Sequence, residues 1–282
     1  MTKKCIVCSS NKNIHLFKPN SFGGYPTYVC DKCGLYFFLG EDKKIEKKCN
    51  ELYHRKYWSK IRKKIERKKY FINISVKILR ILRTHPSQQA WHMKIIKKFN
   101  PKKRLKLLEL GCGKGDTLKY FSKLGIDVKG IEPDLNSAKR LNKWFGKKVC
   151  INESGEKIKI IGKFDVIYLC HVFEHLVRPD LFIKKVKKNL NPDGIIFLEI
   201  PNCENKKILN TSIKNPHIYN FTYNSIKKLF ENHNYDVLKV DTYAEKHKNY
   251  IIQFFVMLFK LSNYKKTPKI KGESIIIVAK NK

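Results

Sequence analysis

The stretch Leu108–Gly115, which reads LELGCGKG, decides the fold of this chain of 282 residues. Its second half is a loop in which glycine occupies every second position, at Gly111, Gly113 and Gly115. Glycine lets the backbone turn sharply and approach a ligand closely, because it carries no Cβ. A dinucleotide-binding fingerprint requires Gly-x-Gly-x-x-Gly, and here the acidic Asp116 follows instead. The loop therefore favours a ligand without phosphates.

From Lys106 onward, short apolar strands alternate with amphipathic helices. Such alternation predicts an α/β fold with a doubly wound, mostly parallel sheet. The predicted strands are Lys106–Leu110, Asp127–Ile131, Lys148–Ile151, Phe164–Cys170, Gly194–Ile200, Tyr235–Asp241 and Ser274–Lys280. The predicted helices are Asp116–Leu124, Asp134–Phe145, Pro179–Leu190 and Tyr223–Glu231. Ligands of such sheets bind at the carboxyl ends of the strands.

The second predicted strand ends at Glu132, 21 residues after Gly111. A carboxylate at this position can accept hydrogen bonds from the two hydroxyls of a ribose. The loop, the strand spacing and Glu132 together are a much more specific pattern than the glycines alone.

These segments resemble the class I S-adenosylmethionine-dependent methyltransferases. Besides Leu108–Gly115, the likeness rests on Gly130-Ile131-Glu132-Pro133, Phe164-Asp165-Val166-Ile167, Glu174-His175-Leu176 and Leu190-Asn191-Pro192-Asp193-Gly194. The resemblance implies a Rossmann-like sheet of seven strands whose last strand runs antiparallel. It also implies that S-adenosylmethionine binds over the glycine loop, with Glu153 near the adenine. The implied cofactor-binding residues are Glu109, Gly111, Gly113, Gly115, Glu132 and Glu153.

Two Cys-x-x-Cys pairs near the N-terminus form a second strong pattern. Cys5 and Cys8 are separated from Cys30 and Cys33 by 21 residues. Each pair places two sulfurs on one side of a tight turn, as a tetrahedral Zn²⁺ site requires. The intervening segments Ile14–Phe17, Tyr25–Val29 and Leu35–Leu39 are strand-like. The pattern predicts a zinc ribbon over residues 1–40 with a structural Zn²⁺; accidental pairing or redox cysteines are the alternative.

The end of the fourth predicted strand carries the candidate catalytic residues, in the stretch CHVFEH from Cys170 to His175. By the resemblance, this edge faces the methyl group of the cofactor. A neutral hydroxyl is a poor nucleophile and needs a base, so His171 is the first candidate and His175 the second. A purely structural role, in which Glu174 and His175 orient the loop, is the alternative. The Asn-Pro-Pro-aromatic signature of many amino-group methylases is missing, which disfavours methylation of adenine or glutamine nitrogens.

A metal-assisted site is a further hypothesis. His171, Glu174 and His175 share one loop, and His217 lies in a segment expected to cross the same pocket. Three imidazoles and a carboxylate can hold a divalent ion that polarises a hydroxyl. The pattern resembles metal-dependent methyltransferases that act on RNA 3′ ends, in which Glu-x-x-Glu-His occurs. His171 replaces the first Glu, which disfavours a hard, oxygen-preferring metal.

Residues 41–101 are predicted to be a basic helical connector, and residues 102–282 the methyltransferase domain. The connector carries apolar residues at helical spacing, which predicts a buried face, with a membrane-surface helix as the alternative. They are Ile61, Ile65, Ile72, Val76, Leu79 and Leu82. The apolar run Tyr250–Phe259 is too short to span a bilayer. We expect a buried helix or a pocket lid there, with contact to a lipid-linked substrate or a membrane surface as the alternative.

The formal net charge of +36 suggests a nucleic-acid binder at first. However, the basic residues comprise 52 Lys and only 8 Arg. Arg is the residue that binds phosphates and guanine edges in a bidentate manner, and a bias toward A- and T-rich codons also enriches Lys. The charge therefore favours nucleic acid only weakly, and it equally suits a small anionic acceptor.

The sequence predicts transfer of a methyl group from S-adenosylmethionine to a small acceptor, at a hydroxyl or carbon of a sugar or surface-glycan precursor. The ribbon followed by this domain resembles a bacterial subgroup acting on such precursors. An RNA methyltransferase and a non-catalytic zinc-ribbon binding module are the alternatives. The N-terminus has no apolar stretch of a secretory signal, and nine cysteines in 282 residues are too few for a disulfide framework. We therefore expect a cytoplasmic protein, with peripheral membrane contact as an option.

Overall fold

The computed structural model describes residues 4–38, 44–45, 47, 51, 87–154, 159–246 and 263–282. The apolar stripe predicted between Ile61 and Leu82 and the apolar run Tyr250–Phe259 both lie outside the described residues. Within the ranges that the structure describes, no helix is both long enough and apolar enough to span a bilayer.

The N-terminal part forms three antiparallel strands, β1 (Ile14–Lys18), β2 (Thr27–Cys30) and β3 (Leu35–Phe38). Each lies where the sequence predicts it, with ends shifted by one or two residues. β2 begins only after Pro26, because proline lacks the N–H that a strand ladder needs. Gly34 has a φ of 75° and turns the chain from Cys33 into β3.

Eight further strands form the main sheet. They are β4 (Lys106–Leu110), β5 (Asp127–Ile131), β6 (Cys150–Ile151), β7 (Phe164–Cys170), β8 (Leu190–Pro201), β10 (Tyr235–Glu245), β11 (Tyr264–Thr267) and β12 (Ser274–Asn281). Their order across the sheet is β11-β10-β12-β8-β7-β4-β5-β6. The short strand β9 (Tyr219–Asn220) belongs to the N-terminal sheet.

The predicted count of seven strands is therefore wrong, because β11 adds an eighth strand at one edge, antiparallel to β10. This strand reads YKKT. Its two charged residues are typical of an edge strand, and so short and polar a segment lacks the alternation by which a strand is predicted. The expected antiparallel last strand is confirmed, since β12 lies between β8 and β10 and runs antiparallel to both.

Besides the helical residues 44–45, 47 and 51, six helices accompany the strands in the described part of the chain. They are α1 (Ser87–Phe99), α2 (Asp116–Lys123), α3 (Leu135–Phe145), α4 (Pro179–Val186), α5 (Lys206–Ser212) and α6 (Tyr223–Asn232). The helix predicted to reach Leu190 ends earlier, because a 3-10 turn at Lys187–Asn189 leads into β8. That strand begins four residues before its predicted start, since Leu190 already pairs with Phe164.

Two buried clusters cover the two faces of the main sheet. One joins alternate residues of β4, β7 and β8 with α1, α2 and α3. The other joins the remaining residues of these strands with α4 and α6, and it also contains Val7, Leu35 and Phe37 of the N-terminal part. In addition, β3 pairs with β9, a segment from the second half of the chain. The N-terminal strands and the large domain therefore share one core and one small sheet.

Candidate functional site

The glycine loop turns at the carboxyl end of β4. Gly111, Gly113 and Gly115 have φ values of 67°, 51° and 75°, a region that residues with a Cβ rarely adopt. A Cβ on Gly111 would lie 2.4 Å from Val172 Cγ2, and one on Gly115 would lie 1.9 Å from Leu141 Cδ2. Beside Gly113 the space is open. The outer glycines thus allow close packing, and the central one leaves room for a ligand.

Glu132 is oriented by the backbone around it. Its Oε2 accepts a hydrogen bond from the N–H of Gly113 at 2.7 Å, and its Oε1 accepts one from the N–H of Asp134 at 2.9 Å. The residue is only 2% exposed. Because each carboxylate oxygen can accept two hydrogen bonds, this arrangement fixes the carboxylate beside the loop and suits the binding of paired hydroxyls.

Glu109, on β4 below the loop, is a buried carboxyl with a perturbed pKa. Burial is the main cause that raises the pKa to about 8, and the nearby charges of Asp116 and Glu132 add to it, while a hydrogen bond with Thr117 opposes the change. Within the described residues, its Oε2 has no hydrogen-bond partner. At neutral pH this carboxyl is therefore mostly protonated, and a positively charged ligand beside it would favour its ionised form.

Glu153 is exposed, two residues beyond β6, and its Oε1 accepts a hydrogen bond from the N–H of Ser154 at 2.9 Å. The contact with adenine assigned to it by resemblance stays a prediction. The neighbouring Asn152, which the sequence reasoning missed, donates to the carbonyl oxygens of Glu132 at 3.0 Å and Pro133 at 2.8 Å. Asn152 therefore fixes the end of β5 against the end of β6.

His171 follows β7 and lies between two buried carboxylates. Its Nδ1 is 3.5 Å from Glu174 Oε1, its Nε2 is 4.0 Å from Glu199 Oε1, and its side chain is 47% exposed. The backbone φ of 54° is unusual for a residue with a Cβ, and its N–H donates to the Glu199 carbonyl oxygen at 2.9 Å. Burial opposes the charged ring, but the hydrogen bond with Glu174 and both carboxylate charges raise the pKa of His171 to about 9.

Glu199 on β8 connects His171 to α1. Gln88 Nε2 donates to its Oε2 at 2.9 Å, and His92 Nε2 lies 3.0 Å from the same oxygen. The Cys170 thiol donates to it at 3.3 Å. Burial alone would raise the pKa of Glu199, but the imidazoles of His92 and His171 hold that pKa well below its usual range.

The sequence reasoning missed Gln88, His92 and Glu199. One signal was present, because Glu199 is the only charged residue in the otherwise apolar run Ile195–Ile200. A carboxylate in a buried strand requires a partner, and that requirement pointed to an unrecognised polar cluster at this end of the sheet.

The residues of the metal hypothesis come together in part. Ligand atoms of Glu174, His175 and His217 lie within 4.8 Å of one another. His171 does not belong to this group, and its Nδ1 is 3.5 Å from Glu174 Oε1. Despite burial, the pKa of Glu174 is lowered to about 2, first by the hydrogen bond from His171 and then by the neighbouring imidazoles when they are protonated. Burial lowers the pKa of His217 to about 4. A neutral His217 beside an ionised Glu174 suits a cation.

Backbone and side-chain contacts hold the two imidazoles. His175 Nδ1 is 2.8 Å from the carbonyl oxygen of Pro216, and His217 Nδ1 is 2.5 Å from Ser212 Oγ. The two rings pack edge to face, with their centroids 4.7 Å apart. The segment between α5 and β9 therefore forms one wall of this cluster, as the sequence reasoning expected of the segment around His217.

The four N-terminal cysteines converge as predicted. All four sulfurs lie within 4.8 Å of one another, with Cys5–Cys33 and Cys8–Cys30 distances of 3.5 Å. Burial raises the pKa of Cys30 to about 11, with the neighbouring sulfurs of Cys8 and Cys5 adding to it. The hydrogen bond with Cys33 instead lowers the pKa of Cys5 to about 5. The cluster therefore already favours one thiolate, and a cation at its centre would stabilise further ones.

Comparison with known proteins identifies the domain that contains most of the main sheet. A family model described as a methyltransferase domain matches residues 83–240, more than half of the chain. The ubiquinone biosynthesis O-methyltransferase of Pelagibacter ubique is 34% identical over 110 residues, covering 37% of this chain and 45% of the relative. The mitochondrial enzyme of the same name from Bos taurus is 29% identical over 108 residues, 35% of this chain and 29% of the relative. The chain spans less than half the length of these relatives.

Solved structures show the same fold. The plantazolicin methyltransferase BpumL in complex with S-adenosylhomocysteine (SAH) superimposes with a TM-score of 0.55 at 15% identity. The match covers 86% of this chain and 98% of that one. An S-adenosylmethionine-dependent methyltransferase from Clostridium acetobutylicum gives a TM-score of 0.53 at 14% identity, covering 74% and 99%. With the strand order and the glycine loop described above, these findings show that the chain belongs to the methyltransferase-domain family and has its class I, Rossmann-like fold.

Proposed function

We propose that the protein transfers a methyl group from S-adenosylmethionine to a hydroxyl of a small acceptor. The observation that carries the proposal is the position of His171. It precedes Val172, whose side chain packs against Gly111 of the glycine loop, so the candidate base stands next to the candidate cofactor site. Three features support this ligand: the space beside Gly113 is open, the Glu132 carboxylate is fixed beside the loop, and Glu109 has a buried oxygen without a hydrogen-bond partner among the described residues.

S-adenosylmethionine would supply an electrophilic methyl group on a positively charged sulfur. The chain's own residues then have three tasks. Glu132 would hold the ribose hydroxyls, and the glycine loop would admit the ligand at Gly113. His171 would accept the proton of the acceptor hydroxyl when the oxygen of that hydroxyl receives the methyl group. With Nδ1 directed at Glu174, Nε2 is the atom that receives the proton, and Glu199 stabilises the resulting imidazolium.

The protonation state of His171 sets a condition on this step. A ring whose pKa is about 9 is mostly charged near neutral pH, whereas a base must be neutral. A second positive charge nearby disfavours an imidazolium, so binding of the cationic cofactor lowers the pKa of His171 toward neutrality. The cofactor thereby prepares the base.

The acceptor class is the finer part of the proposal. The relatives that match the chain are named as O-methyltransferases, which supports a hydroxyl over a nitrogen. We favour a sugar or surface-glycan precursor, on the resemblance of the ribbon-plus-domain arrangement to bacterial enzymes of that type. A phenol and an RNA 3′ end are the competing acceptors.

A direct test uses methyl-labelled S-adenosylmethionine and the full chain. The acceptors offered are nucleotide sugars, a catechol and a mixed RNA fraction. We expect label in a small hydroxyl compound and its loss with His171→Ala. Label in RNA alone would overturn the small-acceptor proposal, and failure to bind S-adenosylmethionine at all would overturn methyl transfer.

The convergence of Glu174, His175 and His217 favours a second candidate, the metal-assisted reaction. A divalent ion held there would polarise the acceptor hydroxyl and reduce the demand on His171. The test adds a chelator at a concentration that leaves the N-terminal metal bound. Activity lost and then restored by a divalent ion supports metal assistance, whereas full activity under chelation argues against it.

For the N-terminal cysteines we propose a structural Zn²⁺. Zn–S distances of about 2.3 Å in a tetrahedron place the sulfurs about 3.8 Å apart. Here two of the sulfur–sulfur distances are 3.5 Å, and all four sulfurs lie within 4.8 Å of one another. Four thiolates fill the coordination shell, so no position remains for catalysis. Metal analysis of anaerobically purified protein should give about one zinc per chain, and a metal-free, folded chain would contradict the assignment.

A further inference from the structure

The N-terminal strands are fastened to one particular segment of the methyltransferase domain, residues 213–220. Strand β3, which begins two residues after Cys33, pairs with β9 at the end of this segment. The N–H of Phe38 donates to the carbonyl oxygen of Ile218 at 3.0 Å. At the other end, the N–H of Phe22 donates to the carbonyl oxygen of Ile213 at 2.9 Å. One end of the segment is therefore held by β3, and the other by Phe22 in the turn between β1 and β2.

Two more contacts tie the cysteine pairs themselves to helix α6. Gly34 follows Cys33, and a Cβ there would lie 3.1 Å from Oγ1 of Thr222, the residue that caps α6. Asn232, at the last turn of α6, donates from Nδ2 to the carbonyl oxygen of Val7 at 2.6 Å. Val7 lies between Cys5 and Cys8, so each cysteine pair has its own contact with this helix.

Residues 213–220 bring His217 to the acceptor side of the site, our name for the edge formed by His171, Glu174, His175 and Glu199. Ser212 Oγ, just before the segment, contacts both His217 Nδ1 and Asn220 Oδ1, each at 2.5 Å. Asn220 belongs to β9, and His217 lies beside Glu174 and His175. A continuous set of contacts thus runs from the cysteine cluster through β3 and β9 to the wall of the site.

The cofactor side of the site, by which we mean the glycine loop and Glu132, makes its contacts within the large domain. Glu132 receives its hydrogen bonds from Gly113 and Asp134, which lie within 19 positions of it in the sequence. The outer glycines pack on Val172 and Leu141. All of these contacts are made by residues of the main sheet and its helices.

We propose that the metal-loaded cysteine module is a brace for the acceptor side of the site: by holding residues 213–220 it positions His217 against Glu174 and His175. His217 and the segment around it are thus positioning elements whose order depends on the metal. The inference rests on the proposed zinc site and on the proposed role of this edge of the sheet in methyl transfer.

Hydrogen exchange with mass spectrometry on the full chain tests the brace without any acceptor. The zinc-loaded protein is compared with protein stripped by a chelator, and SAH affinity is measured by calorimetry on both. Peptides covering residues 213–221 should exchange about tenfold faster or more after stripping, because loss of a neighbouring ordered unit lowers local opening free energy. Peptides covering residues 107–116 and the SAH affinity should stay within about threefold.

Each outcome bears on a different claim. Unchanged exchange at 213–221 after confirmed metal loss overturns the brace and leaves methyl transfer intact. Equal deprotection of 107–116 with loss of SAH binding overturns the restriction to the acceptor side. A folded chain purified without metal overturns both the zinc site and the brace, and failure of methyl transfer is detected separately by the labelled-methyl assay.

A point variant tests the brace while all four cysteines are kept. Asn232→Ala removes the hydrogen bond to Val7, so by reciprocity it should weaken zinc affinity, measured by chelator competition, by about 2- to 10-fold. Asn224→Ala, at an exposed position of the same helix, is the matched control and should leave zinc affinity unchanged. Faster exchange of 213–221 in Asn232→Ala alone supports the brace; equal zinc affinity and equal exchange in the two variants contradict it.

Discussion

The cofactor side and the acceptor side of this site are assembled in different ways. The glycine loop, Glu132 and Asn152 lie within 42 positions of the chain and depend largely on one another. The acceptor side joins Gln88, His171, Glu199 and His217, which come from four separate parts of the sequence. One side is a local unit of strand and loop, and the other requires the whole chain to be folded. We therefore expect substitutions on the two sides to separate cofactor binding from methyl transfer.

The largest effect should come from His171→Ala. Loss of a general base typically lowers turnover about 10²- to 10⁴-fold, and SAH affinity should remain within about threefold of wild type because His171 makes none of the contacts that hold Glu132. Turnover is measured with the labelled-methyl assay. His15→Ala, at an exposed histidine that lies 3.0 Å from Asp31 in the N-terminal part, is the control and should be fully active. Near-normal turnover of His171→Ala would remove it as the base.

The pH dependence should come next in size. Glu174 and Glu199 raise the pKa of His171 to about 9, so the neutral, active fraction of the free enzyme increases about tenfold per pH unit below that value. We expect kcat/KM for S-adenosylmethionine, which reports the cofactor-free enzyme, to increase by roughly 30- to 100-fold from pH 7 to pH 9 and then to level off. In the variant His171→Gln this increase in kcat/KM between pH 7 and pH 9 should disappear. A wild-type profile that is flat over this range would contradict the assignment.

The smallest effects should come from a pair of glycines. Gly113→Ala should weaken SAH binding by about tenfold, because the Cβ enters the open space of the loop. Gly115→Ala should instead lower the free energy of unfolding by about 1–3 kcal/mol, from the clash with Leu141 and the strained φ. Calorimetry and thermal unfolding separate the two. Gly125 lies outside the glycine loop, has a similar φ of 78° and has open space beside it. The variant Gly125→Ala therefore serves as a control for backbone strain alone.

The cofactor side was predictable because its signals are local. Alternation of apolar strands with helices gave the boundaries of β4, β5 and β7, and the glycine spacing with Glu132 gave the loop. The two Cys-x-x-Cys pairs likewise predicted four converging sulfurs. In each case the residues that interact are close in sequence or repeat a spacing that one geometry requires.

The acceptor side was predictable only in part. His171, Glu174 and His175 were found because they follow a strand end, but Gln88 and His92 were missed because single polar residues on a helix carry no sequence signal. β9 has only two residues and lies after an unpredicted helix, so its pairing with β3 could not be foreseen. Contacts between distant segments depend on how the elements pack, and neither the spacing of apolar residues nor the composition predicts that packing.

The central claim is that Glu132 binds the cofactor while His171 acts on the acceptor. The most direct measurement is calorimetric SAH binding to wild type, Glu132→Ala and His171→Ala, with Asp127→Ala at the exposed start of β5 as the control. Loss of two hydrogen bonds to a charged group predicts about 100-fold weaker binding or more for Glu132→Ala, with the other two variants within about threefold of wild type. Wild-type SAH affinity in Glu132→Ala, or equal weakening in Glu132→Ala and His171→Ala, would contradict the account.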